Sequence, residues 1–96
     1  MMYRVFKTKE VEEFLDGLDD KSNRICSNKL KEALVANPYP GQGLGDKEEL
    51  EVLGEKVYRL HIGHIWTAFY HILEDRKRVH VVEILPIGKA HQKYGF

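Results

Sequence analysis

The sequence predicts an α+β domain in the order β-αα-ββββ, with a two-helix hairpin packed on a mainly antiparallel sheet. Two observations carry the prediction: consecutive apolar stripes at helical spacing before residue 37, and runs of alternating β-branched and aromatic residues after residue 50. A third is the segment Asn37-Pro38-Tyr39-Pro40-Gly41, which separates the helical part from the strands. Helices in one block followed by strands in another favour segregated layers over an alternating parallel sheet.

Each element follows from local chemistry. Tyr3 to Phe6 reads as a short strand, and Thr8 is placed to cap the next helix by accepting from an exposed backbone N–H. Val11, Phe14, Leu15 and Leu18 form its buried stripe, while Glu12, Glu13 and Asp16 face water. Asp19 and Asp20 interrupt the pattern and offer a second cap. Cys26, Leu30, Ala33 and Leu34 then define a second apolar face, and the proline-rich segment ends it, since proline restricts the residue before it. A loop through Gly41, Gly43 and Gly45 reads as a flexible connection, because the spacing matches no phosphate-binding glycine motif. Leu50 to Leu53 and Lys56 to Ile62 read as a strand hairpin about a Gly54-Glu55 turn. Gly63 permits a reversal into Ile65 to Ile72, and Glu74 to Lys77 turn the chain into Val79 to Ile87. The tail after Gly88 is expected at the sheet edge or across its open face.

Ninety-six residues suffice for a single domain, 1–96, with one modest core. Fifteen basic and fifteen acidic side chains cancel, so the overall field does not point to nucleic acid, but residues 51–96 hold seven basic and five acidic groups and all five histidines. Cys26 is the only cysteine, which excludes an internal disulfide and fits a reducing, cytoplasmic setting. The amino terminus lacks a secretory pattern, and no run approaches the roughly 20 apolar residues of a membrane span.

The chemistry-bearing side chains cluster late in the chain. Arg59 and His61 are two apart on one strand and so share a face, with Tyr58, Leu60 and Ile62 on the other. Arginine offers a fixed fork of donors to phosphate oxygens, and histidine exchanges a proton near neutral pH. Lys89, His91, Lys93 and Tyr94 add cations, an imidazole and a phenol. Surface ion pairing accounts equally well for Arg59 and His61, and a solvated basic tail accounts for the others. His61 and His64 lack a third and fourth ligand, so no metal and no cofactor is expected. His71 and His80 are placed to meet across a hairpin. Trp66, Phe69 and Tyr70 read as core, and Cys26 as an inert buried thiol.

Taken together, the helical hairpin, Asn37-Pro38-Tyr39-Pro40-Gly41, Leu50, Val57-Tyr58-Arg59-Leu60-His61-Ile62-Gly63 and the segment from Ile87 to Tyr94 resemble the RelE/ParE toxin superfamily. The resemblance implies a curved antiparallel sheet and a toxin neutralised by a cognate antitoxin that wraps around it. RelE-like members cleave ribosome-bound messenger RNA without a metal, and ParE-like members act on DNA gyrase. On the first reading the catalytic residues are Arg59, His61, Lys89, His91 and Tyr94. Arg59 matches the first arginine of the family's Tyr-Arg-Leu-Arg-x-Gly strand, His61 stands at its second arginine, and Tyr94 matches the late tyrosine. Trp66 and Ala90 stand where the family carries further arginines, which implies the alternative of a gyrase inhibitor or a degenerate toxin fold that binds only its antitoxin or another partner.

Overall fold

The computed structural model describes residues 2–41, 43 and 45–94, and within the last helix the side chains of His91, Lys93 and Tyr94 lie outside that description. Strand β1 (Arg4–Lys7) leads into helices α1 (Lys9–Asp16) and α2 (Asp20–Leu34). Strands β2 (Asp46–Val52), β3 (Glu55–Ile62), β4 (Trp66–Leu73) and β5 (Arg78–Pro86) follow, and helix α3 (Ile87–Tyr94) closes the chain. The sheet order is β1-β5-β4-β3-β2, antiparallel except for the parallel pairing of β1 with β5. This is the expected β-αα-ββββ order with one element added. The tail does lie across the open face, but as a helix rather than extended chain.

Both helix starts form as their capping residues dictate. Thr8 accepts from the Val11 amide at 3.2 Å and Asp19 from the Ser22 amide at 3.2 Å. Asn23 donates to the Leu15 carbonyl at 2.8 Å, satisfying an acceptor that the end of α1 leaves open. Val11 and Leu15 of α1, with Cys26, Leu30, Ala33 and Leu34 of α2, bury themselves against Tyr58, Leu60, Ile62, Ala68, Tyr70, Val79, Val81 and Ile84 of the sheet. Cys26 is fully buried there, and desolvation pushes its thiol up to about 11, which leaves it protonated and unreactive at neutral pH.

The proline-rich segment does more than end α2. Pro38 is buried and its carbonyl accepts from the Tyr70 hydroxyl at 2.7 Å. Tyr39 meets Tyr58 edge-on at 6.1 Å, Tyr58 stacks on Tyr70 at 5.6 Å, and Tyr39 meets Tyr3 edge-on at 6.4 Å. Four phenol rings from four parts of the chain thus form one ladder. At its outer end the Tyr3 and Tyr39 hydroxyls each donate to Glu74 at 2.6 Å, and Lys77 pairs with the same carboxylate. Lys77, Tyr3 and Tyr39 together hold the Glu74 carboxyl down to about 2.

A second, smaller core lies on the other face of the sheet. Val57, Phe69 and Ala90 are its buried members, with Leu50, Val52, Val82 and Leu85 packed around them. Phe69 and Tyr70 are adjacent yet both fully buried, because the sheet is covered on both faces and the ladder to β5 shifts register between them. The loop before β2 also departs from the sequence reading. A Cβ on Gly45 would sit 2.9 Å from both the Ala33 Cβ and a Leu60 methyl, so this glycine marks a close approach of loop to core rather than a flexible link.

The β2–β3 hairpin turns at Leu53-Gly54, one residue earlier than the predicted Gly54-Glu55 turn, with Val52 opposite Glu55. Both turn residues have positive φ, 52° at Leu53 and 82° at Gly54, the geometry of a type I′ turn. Leucine is strained there and packs against nothing, being fully exposed. Leu53→Asn is expected to raise the unfolding free energy by roughly 0.5–1 kcal/mol, read as a higher urea midpoint at unchanged slope. A midpoint at or below that of the unaltered chain refutes the strain argument.

Candidate functional site

Alternation along β3 sends Tyr58, Leu60 and Ile62 into the hairpin core, so Val57, Arg59 and His61 face the side covered by α3. Arg59 and His61 share a face as expected. Their environments differ. Arg59 is an ion-pair partner of Glu48, directly opposite on β2, and its side chain is only 15% exposed. His61 is opposite Asp46 and lines an open hollow of about 420 Å³ with Lys29, Asp46, Gly63, His64 and Ile87. An imidazole with a carboxylate opposite it on the next strand and a lysine lining the same open hollow can move a proton or bind an anion.

The same hollow receives the start of α3. The Ile87 amide donates to the Ile65 carbonyl at 2.9 Å, tying the helix to the β3–β4 turn beside His64. Lys89 follows on the exposed part of the first turn of α3. His91 and Tyr94 belong to α3 by backbone, and their side chains lie outside the described residues. The structure therefore places His61 beside the start of the helix that carries the other three, with Arg59 on the same face of β3. Among the described residues, no three of His, Cys, Asp and Glu converge in a metal-binding geometry.

Three partners escaped the sequence reading: Glu48, Asp46 and Lys29. The first two follow from hairpin register, since moving a two-residue turn by one position changes every cross-strand partner by two. Lys29 comes from α2 and has no local signal.

The two departures from the family pattern have packed surroundings. Trp66 meets Phe14 of α1 edge-on at 5.5 Å and packs against the hairpin core. Ala90 is buried on the inner side of α3 beside Phe69 and Val57. A guanidinium in place of the Ala90 methyl would have to enter that core, so the missing cation there is tied to how α3 sits. His71 and His80 are opposite one another on β4 and β5, as expected, with His71 Nδ1 3.1 Å from the Lys56 carbonyl. No helix among the described residues is long and apolar enough to cross a membrane.

No family model and no curated protein matches the sequence. Solved structures do match. A chain of the archaeal RelE–RelB complex from Pyrococcus horikoshii OT3 is similar with a TM-score of 0.69 and 25% identity, over 93% of this chain and 99% of that one. A doubly substituted RelE toxin from E. coli in its free state is similar in fold, with a TM-score of 0.59 and 15% identity, over 99% of this chain and 93% of that one. With the helical hairpin, the curved sheet and the order β-αα-ββββ all shared along nearly the whole length, the fold of this chain is that of the RelE/ParE toxins.

Proposed function

We propose that this chain is the toxin of a type II toxin-antitoxin pair, a ribosome-dependent endoribonuclease that cleaves messenger RNA in the cytoplasm without a metal. The observation that carries the reading is the hollow that His61 lines with Lys29 and His64 beside the α3 amino terminus, two strand positions from Arg59. Arg59 binds the scissile phosphate after exchanging its Glu48 partner for substrate. His61, Lys89 and His91 supply the base that activates the ribose 2′-hydroxyl, the acid that protonates the leaving 5′-oxygen, and positive charge for the transition state. Tyr94 positions a base by stacking. The similarity to a chain of a RelE–RelB complex supports a cognate antitoxin as the binding partner.

The test is cleavage of messenger RNA on purified ribosomes. Arg59→Ala combined with Tyr94→Ala is expected to slow cleavage by about 10²-fold or more, given what general acid–base and charge stabilisation each contribute. Equal cleavage by both proteins at matched ribosome occupancy sinks the ribonuclease reading. A second reading is favoured by Trp66 and Ala90, which are packed inward where the family carries cations. On that reading the fold binds a partner without cleaving RNA, as a gyrase inhibitor or an antitoxin-binding remnant. Unchanged gyrase supercoiling at saturating protein removes the gyrase version.

A further inference from the structure

At the sheet edge away from β2, basic side chains gather with no acid paired to them among the described residues. Strands β1 and β5 run parallel with Arg4 beside Arg78 and Phe6 beside His80. Val5, Val79 and Val81 pack toward the hairpin core, so by alternation these four side chains share the opposite face. The Arg4 and Arg78 guanidinium carbons lie 5.8 and 5.2 Å from the Phe6 ring centroid, and the His80 ring meets Phe6 edge-on at 5.4 Å. Phe6 remains 39% exposed. A hollow of about 250 Å³ is lined by Phe6, Lys7, Thr8, Arg78 and His80. Among the described residues Lys56 pairs with Glu49, Arg59 with Glu48 and Lys77 with Glu74, and none of these ion pairs involves Arg4, Lys7 or Arg78.

Such a patch is costly without a ligand. Like charges directly opposite each other on neighbouring strands repel, and a large exposed ring between them gains nothing from water. The chain as a whole has no net charge, so the cluster is not one part of a uniformly basic surface. An anion that also carries a flat aromatic face relieves both costs. A nucleotide unit has its phosphate and its π face in one group, whereas an acidic peptide meets the guanidiniums and leaves the ring uncovered.

We propose that Arg4, Phe6 and Arg78, backed by His80, form a binding site for single-stranded RNA, with the two guanidiniums on backbone phosphate and a base stacked on the Phe6–guanidinium surface. The site lies three strand steps from β3, about 14 Å across the sheet, and so is separate from the hollow beside His61. Binding here does not depend on cleavage. A protein that leaves ribosome-bound messenger RNA intact yet binds a free oligonucleotide through these residues upholds this site while refuting the ribonuclease reading.

The experiment is a fluorescence anisotropy titration with a labelled oligouridylate of about 12 nucleotides at several salt concentrations. Arg4→Gln combined with Arg78→Gln is expected to bind roughly tenfold more weakly and to lower the salt slope by about 1.4, the share of two phosphate contacts on a single strand. Unchanged affinity and slope overturn the proposal, as does equal competition by a poly-glutamate peptide of matched charge. Should the double variant fail to fold, amide chemical shifts of the unaltered protein decide. Saturating RNA is expected to move the signals of residues 4–6 and 78–80, and stationary signals there refute the site.

Discussion

Phe69→Ala is expected to lower the unfolding free energy by about 3–5 kcal/mol and to free α3 from the sheet before the rest of the fold opens. Phe69 is fully buried at the centre of the smaller core, with Val57 and Ala90 as its buried neighbours. Truncation removes the transfer free energy of the ring and leaves a cavity that a β-sheet cannot collapse to fill. Set against a typical total of about 5–15 kcal/mol, the loss is large. It is also local, because the hairpin core on the other face shares none of these side chains. Hydrogen exchange checks it: amides of residues 90–94 are expected to lose protection ahead of those in β3 and β4. If α3 keeps its protection relative to the sheet, Phe69 is not what holds it. Under the proposed function the same variant loses cleavage, since α3 carries Lys89, His91 and Tyr94.

Lys47→Met is expected to cost roughly 2–4 kcal/mol, although a lysine-to-methionine change on an edge strand is ordinarily mild. Lys47 is buried, and its ammonium donates to the Ala33 carbonyl at 3.1 Å and to the Asn37 carbonyl, closing the carboxyl end of α2 and the start of the proline-rich segment. Methionine keeps the stem and leaves those carbonyls without their charged donor. Burial holds the ammonium below the ordinary lysine value of 10.5. The folded protein therefore releases this proton at lower pH than the unfolded chain does. Between those two values the unfolded chain binds more protons, so the contribution of this group to stability rises with pH and levels off above 10.5. Tyr58 and Tyr70, raised chiefly by burial, act in the opposite sense, and their contribution is lost as pH climbs beyond 10. Subtracting the variant's stability from that of the unaltered protein between pH 8 and 11 isolates the lysine. A flat difference refutes its altered titration, and a loss well under 1 kcal/mol refutes its role as a helix stop.

The helical half was the more legible. Thr8 and Asp19 cap where their chemistry requires, and the stripes Val11, Leu15 and Cys26, Leu30, Ala33, Leu34 face the core. Alternation on β3 correctly divided Tyr58, Leu60 and Ile62 from Arg59 and His61. The carboxyl-terminal helix was not legible, because Ile87 to Tyr94 holds a glycine and several polar residues, and Ala90 is the one buried side chain among its described residues. Its helical state depends on the apolar patch of Val57, Phe69, Val82 and Leu85 that awaits it. The hairpin register was misread for another reason. Gly54 drew the turn toward itself, whereas the strand twist demands positive φ at Leu53 as well, a conformation leucine does not advertise.

Periodicity and caps thus settle the order β-αα-ββββ up to β5, the buried stripes of α1 and α2, and the placing of Arg59 with His61 on one side of β3. These are short-range properties, and the information for them lies within a few residues of each position. The tertiary structure alone decides that Glu48 and Asp46 stand opposite them, that Lys29 reaches the same hollow from α2, and that Ala90 packs inward. It alone places Arg4 beside Arg78 as well, since 74 positions of chain separate two strands that only the closed fold makes neighbours. Contacts of that kind depend on register and on which faces remain uncovered, and both are set by the whole sheet at once.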